Sequence, residues 1–208
     1  MTLVAVVDYG AGNLVSIDQA LRAAGADVVI ARSEADLDGA DGLVVPGVGA
    51  AGPAMARLRR HGLVEPIRGW IVADRPFLGI CLGLQLLFDG SDEDGSRTLG
   101  VLPGRTVRLV GAPRLPHIGW NAVRRRRPHA LFAGIPPDAP FYFVHSYAAL
   151  PSGPTAATLA LADTDHGNDF VSAVASGRLA GVQFHPERSG SDGLRLLANF
   201  ASLAGRAA

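Results

Sequence analysis

The stretch Pro76-Phe77-Leu78-Gly79-Ile80-Cys81-Leu82-Gly83-Leu84-Gln85-Leu86-Leu87-Phe88 admits few folds, because a short apolar run turns at one cysteine into residues with helical spacing. By its period, Phe77 to Ile80 is a buried strand, and Leu82, Gln85, Leu86 and Phe88 open a helix behind it. Gly79 and Gly83, two residues either side of Cys81, leave room for a sharp turn and for close approach of helix to strand. Glycines have the same steric role in the G-x-S-x-G nucleophile elbow. Cys81 is then expected strained and exposed at a strand-to-helix corner, where the positive end of the helix favours the nucleophilic thiolate. The N–H of Leu82, first in the helix and without an intrahelical partner, would point at the oxygen of a carbonyl under attack. A lone cysteine in an apolar run is more often a small core residue. The paired glycines and the change of period favour the nucleophile.

The residues before this stretch alternate strand and helix patterns. Leu3 to Val7 is a fully buried strand, Asp8 to Asn13 a turn-rich loop, and about Leu14 to Ala24 a helix. Val28 to Ile30 and Leu43 to Val45 are further strands with a short polar helix between them, and a helical stretch from about Ala54 to Val72 is interrupted at Gly62 and Pro66. Such units predict an α/β fold, a central, mostly parallel sheet covered by helices on both faces, with functional groups at the carboxyl ends of its strands. With 208 residues, the chain needs only one domain, spanning 1–208. Gly10-Ala11-Gly12 lacks the third glycine of a dinucleotide fingerprint, since Val15 stands there. Val45-Pro46-Gly47-Val48-Gly49-Ala50 is either a plain turn or a nest of backbone N–H groups able to supply the second oxyanion donor.

The second half is richer in strand patterns: Thr106 to Val110, Phe141 to Val144 and Val171 to Ala175, with a helical turn near Ala130 to Phe132. Arg124 to Arg127 reads as a solvated loop or strand end, the alternative being an acidic or phosphate partner. The formal charge is zero, every one of the 19 basic residues is arginine, and no field attracts nucleic acid or a membrane surface. One cysteine excludes an intrachain disulfide, and the Leu3 to Val7 run is too short for a signal core, so the cytoplasm is the expected compartment. A second chemical cluster is Leu179 to Glu187, where a strand runs into Phe184-His185-Pro186-Glu187. Pro186 biases His185 to extended backbone, which lets His185 and Glu187 project to one side as a base and its orienter. Alone, such a tripeptide is usually a strand-end turn; beside the Cys81 elbow it completes a Cys-His-Glu triad.

The G-x-C-x-G-x-Q segment at Gly79 to Gln85 and the F-H-P-E segment resemble the class I glutamine amidotransferases. Within that class the chain is similar to the glutaminase subunits of imidazole glycerol phosphate synthase. The similarity runs through Asp8 to Asn13, Pro46 to Gly49, Pro116-His117-Ile118-Gly119-Trp120-Asn121 and Phe143-Val144-His145-Ser146-Tyr147. The resemblance implies hydrolysis of L-glutamine to glutamate and ammonia, with ammonia handed to a (β/α)8 cyclase subunit in histidine biosynthesis, and no metal or cofactor. It assigns the thioester to Cys81, proton transfer to His185 and orientation of His185 to Glu187. It also assigns glutamine contacts to Gly49, Gln85, Ser146 and Tyr147, oxyanion contacts to Val48 and Leu82, and the partner surface to Asn13, Trp120, Asn121 and Arg188. Arg188 is a departure, since relatives often carry lysine after the glutamate, and a planar fork replaces a point donor there. Two competitors share features: the glutaminase of pyridoxal phosphate synthase, whose oxyanion loop differs, and a non-catalytic module that keeps the fold.

Overall fold

The computed structural model describes residues 1–205. Leu3–Val7 (β1) is apolar throughout and almost wholly buried, as a strand covered on both faces must be. Helix α1 (Leu14–Ala23) follows, with the Asn13 side chain accepting the Ser16 N–H at its start. Next come Asp27–Ala31 (β2), a 3-10 turn at Glu34–Leu37 and Gly42–Gly47 (β3). The helical stretch expected over 54–72 is two helices, Ala51–Arg60 (α2) and Val64–Val72 (α3). The break lies at Gly62, with φ +66°. Pro66 does not interrupt anything; it occupies the first turn of α3, where a missing N–H leaves no bond unmade.

Phe77–Cys81 (β4) passes directly into Leu82–Gln85 (α4), a single turn rather than the longer helix its spacing predicts. The carbonyls of Leu86 and Leu87 accept N–H groups from Leu99, Val101 and Leu102 instead of continuing a helical ladder. The strands that follow are Gly90–Ser91 (β5), Gly104–Arg108 (β6), His117–Ala122 (β7), Arg124–Arg125 (β8), Pro140–His145 (β9), Tyr147–Pro151 (β10), Ala160–Asp165 (β11), Asp169–Ser176 (β12) and Leu179–Val182 (β13). The strand expected over 106–110 thus begins and ends two residues earlier. Helices Ala156–Leu159 (α5) and Gly190–Ala204 (α6) complete the chain, with 3-10 turns at Ala130–Phe132 and Pro186–Arg188.

The main sheet runs β2-β1-β3-β4-β13-β12-β10-β6-β5. From β2 to β13 every pairing is parallel, and from β13 to β6 every pairing is antiparallel. Alternate residues of the parallel strands feed two cores. Val4, Val6, Val44, Leu78 and Ile80 pack with Ile17 and Leu21 of α1 and Leu196 and Phe200 of α6. Ala5, Val7, Leu43, Val45 and Phe77 pack with Met55, Leu58, Ile67 and Trp70 of α2 and α3. Strands β7 and β9 form a separate antiparallel pair. The Arg124 to Arg127 run closes on its own surroundings: Arg124 pairs with Asp169, Arg126 with Asp163, and Arg125 and Arg127 donate to the carbonyls of Phe132 and Thr158. No helix among the described residues is long and apolar enough to cross a membrane.

Candidate active site

Strand register gathers the site. β3 and β4 pair with Gly47 opposite Cys81, so both strands end at one level and the next residues, Val48 and Leu82, leave the sheet side by side. On the other flank of β4, β13 ends with Val182 opposite Ile80, which delivers His185 to the same carboxyl edge. Cys81 has φ +54° and ψ −108°, a backbone that side-chain-bearing residues rarely adopt. The flanking glycines make this corner possible: a Cβ at Gly79 would lie 2.6 Å from the Gly83 carbonyl oxygen, and one at Gly83 only 1.8 Å from that of Val45.

The corner is strained as expected but not exposed, for Cys81 retains 6% of its accessible surface. The loops after the neighbouring strands surround it. Cys81 lines a cleft of about 250 Å³ with Val48, Gly49, Leu82, Gln85, Glu93 and the 144–147 segment. The α4 helix behind Cys81 is a single turn and aligns few peptide dipoles. The Gln183 amide nitrogen donates to Cys81 Sγ at 3.6 Å.

His185 Nδ1 lies 2.8 Å from Glu187 Oε1, the two side chains 7% and 3% exposed. Burial works against an imidazolium here, but interactions with Cys81 and Glu187 outweigh it and raise His185 to about 10. With Nδ1–H committed to the carboxylate, Nε2 is buried without a geometric hydrogen bond among the described residues and is the nitrogen left to interact with Cys81 and transfer a proton. The segment is stitched in place. His185 N–H donates to the Tyr142 carbonyl at 2.9 Å, and Ser189 Oγ donates to the His185 carbonyl at 2.6 Å while accepting the Tyr142 N–H at 3.0 Å.

Gly49 takes φ +88°, the left-handed backbone that its turn needs, and Tyr9 Oη donates to the Pro46 carbonyl at 3.1 Å behind it. Ser146 and Tyr147 line the cleft opposite. Gln85 does too, but its amide nitrogen is used inside the wall, donating to Tyr147 O at 2.8 Å and Gln183 Oε1 at 3.0 Å. Of the expected partner residues, Asn13 and Arg188 are exposed and Trp120 retains 57% exposure. Trp120 meets the Tyr142 ring edge-on at 6.3 Å, and the Arg188 guanidinium lies 4.0 Å over that ring. Asn121 faces inward instead: its amide nitrogen donates to Asp165 O at 2.7 Å and lies 3.2 Å from His117 Nε2.

Sequence reasoning passed over Glu93, Gln183, His145 and Tyr142. The signal for Gln183 and His145 was a polar residue ending an apolar strand run. Glu93 sits in an acidic loop with nothing local to distinguish it.

The chain belongs to the class I glutamine amidotransferase family, whose model, described as "Glutamine amidotransferase class-I", matches residues 5–203. Its fold is shared by a solved glutamine amidotransferase, with a TM-score of 0.73 at 22% identity over 97% of this chain and 98% of that one. A chain of the PurLQS structure from Thermotoga maritima gives a TM-score of 0.76 at 17% identity over 97% of this chain and 98% of that one. Among characterised sequences, the chain is 48% identical to the imidazole glycerol phosphate synthase subunit HisH of Symbiobacterium thermophilum, over 98% of this chain and 95% of that protein. It is 47% identical to the HisH subunit of Moorella thermoacetica, over 98% and 96%.

Proposed function

We propose that the chain is the glutaminase subunit of an imidazole glycerol phosphate synthase, with Cys81 attacking the side-chain amide of L-glutamine. Sγ bonds to the amide carbon, His185 protonates the departing nitrogen through Nε2, and ammonia leaves a thioester. Water then gives a proton to His185, attacks the thioester and releases glutamate and the thiol. Glu187 holds Nδ1–H throughout, which fixes the tautomer and steadies the imidazolium. The oxyanion formed at each addition is met by the N–H groups of Val48 and Leu82, the first residues beyond the paired ends of β3 and β4. Glu93, a carboxylate on the cleft wall, suits the α-ammonium of glutamine. The observation that carries the reading is the meeting, at one sheet edge, of the positive-φ Cys81 with the buried 2.8 Å His185–Glu187 pair.

The relatives' naming as synthase subunits supports delivery of the ammonia to a (β/α)8 cyclase subunit in histidine biosynthesis. The docking rim would comprise Asn13, Trp120 and Arg188. Cys81→Ser tests both halves: the variant, mixed with the cyclase, should lose glutamine-dependent synthesis yet make product when given ammonium. Ammonia release from glutamine at the wild-type rate would refute the nucleophile, and failure on ammonium would refute the division of labour. A non-catalytic module is separated by labelling with an electrophilic glutamine analogue, which should modify Cys81 and be blocked by glutamine.

A further inference from the structure

Strands β7 and β9 pair with His117 opposite His145, and these imidazoles, 3% and 7% exposed, take no part in the hydrolysis described above. Their hydrogen bonds have only one possible direction. Tyr147 O can only accept, so the 2.9 Å bond to His145 places a proton on Nδ1 of that ring. A neutral imidazole carries one proton, so His145 Nε2 accepts, and the 3.2 Å contact places the next proton on His117 Nδ1. His117 Nε2 in turn accepts from the Asn121 amide nitrogen at 3.2 Å. The orientation of that amide is fixed at its other end, where Asn121 Oδ1 accepts the Ala122 N–H. Burial holds both rings neutral, lowering His145 to about 3 and His117 to about 4.

The chain of bonds does not stop at the carbonyl. Tyr147 O also accepts Gln85 Nε2 at 2.8 Å, Gln85 donates its other amide proton to Gln183 Oε1 at 3.0 Å, and Gln183 Nε2 reaches Cys81 Sγ at 3.6 Å. Resting on the glutaminase reading, we infer that His117 and His145 are positioning residues for glutamine hydrolysis, a one-way relay from β7 that sets the Tyr147 carbonyl and, through it, the Gln85 and Gln183 amides facing the nucleophile. Neither ring exchanges protons with substrate. Their role is geometric, since a carbonyl with both lone pairs occupied has one place to be.

Two measurements test the relay on the whole chain. Nitrogen-15 spectra of the histidines near neutral pH should show, apart from the His185 imidazolium, two neutral rings protonated at Nδ1 alone, the tautomer that free histidine disfavours, and lost when His117 or His145 is replaced. Nε2–H on His145 would overturn the relay, and this reading needs no glutamine turnover. In kinetics, His145→Leu leaves the Tyr147 carbonyl with Gln85 as its one remaining side-chain donor and should raise KM for glutamine about tenfold, with a smaller fall in kcat. His145→Asn, whose amide N–H sits near the place of Nδ1–H, should recover most of that loss. Identical KM values for Leu, Asn and wild type would also overturn the proposal. If the wild-type chain with its cyclase releases no ammonia from glutamine, the glutaminase reading fails, while the tautomers still decide whether the relay exists.

Discussion

At the level of single residues, the proposed chemistry depends on Glu187, whose Oε1 lies 2.8 Å from His185 Nδ1. Among the described residues Glu187 Oε2 is buried without a hydrogen-bond partner, and Oε1 holds the imidazole. Glu187→Gln keeps the shape and loses the carboxylate charge, and its amide can present a donor where an acceptor is needed. Glutamine turnover should fall by about 10³–10⁴ in kcat with little change in KM, measured by steady-state ammonia release. A kcat within a few-fold of wild type would remove Glu187 from the mechanism. The same pair leaves a mark on stability. His185 is raised from 6.5 to about 10 on folding, so its contribution is whole below pH 6.5 and disappears as pH climbs through about 10. Denaturation curves of wild type and Glu187→Gln should therefore lie apart at pH 6 and converge toward pH 10. A gap independent of pH would mean that the pair carries no linked proton.

Among the elements, the β4–α4 elbow was legible as a strained corner because that constraint is local. A residue at position 83 larger than glycine meets the Val45 carbonyl at 1.8 Å, a backbone atom that cannot step aside while β3 stays paired. Gly83→Ala should cost more than about 3 kcal/mol, or prevent folding, as judged by urea denaturation. A loss below 1 kcal/mol would show that α4 can lift off the sheet freely. What lay beyond the sequence was set by distant groups. The length of α4 is decided by N–H donors at Leu99, Val101 and Leu102, which no window around Cys81 contains. Cys81 is buried in a cleft walled by the 48–49 turn and by the β9–β10 corner at 144–147. Asn121 and Trp120 are neighbours in one motif, but strand alternation turns one toward His117 and the other outward, and only the pairing of β7 with β9 settles which. Gln85 was legible as a cleft residue, whereas the direction of its amide depended on Tyr147 and Gln183, 62 and 98 positions away.

In the molecule as a whole, the carboxyl edge of the parallel strands holds Cys81, and next to it lies an exposed aromatic and aliphatic surface. Ile118 and Trp120, 60% and 57% exposed, project from the outer face of β7, where Tyr142 meets Trp120 edge-on and Arg188 lies over the Tyr142 ring. An aromatic–arginine cluster set among exposed aliphatic side chains is the kind of surface in which one truncation removes much of the binding energy. Val48, the expected oxyanion donor, is itself 48% exposed on the cleft wall, so a partner seated there bears on its amide. Aligning one such donor is worth about 10²–10³ in kcat. The chain alone should therefore hydrolyse glutamine weakly, and the cyclase subunit should accelerate it by that order. Trp120→Ala should weaken the complex by about 2 kcal/mol, roughly thirtyfold in Kd, by calorimetric titration, and raise the cyclase concentration needed for half-maximal activation in proportion. An unchanged Kd would move the interface off this face. Equal glutaminase rates with and without the cyclase would remove the partner from control of the oxyanion site.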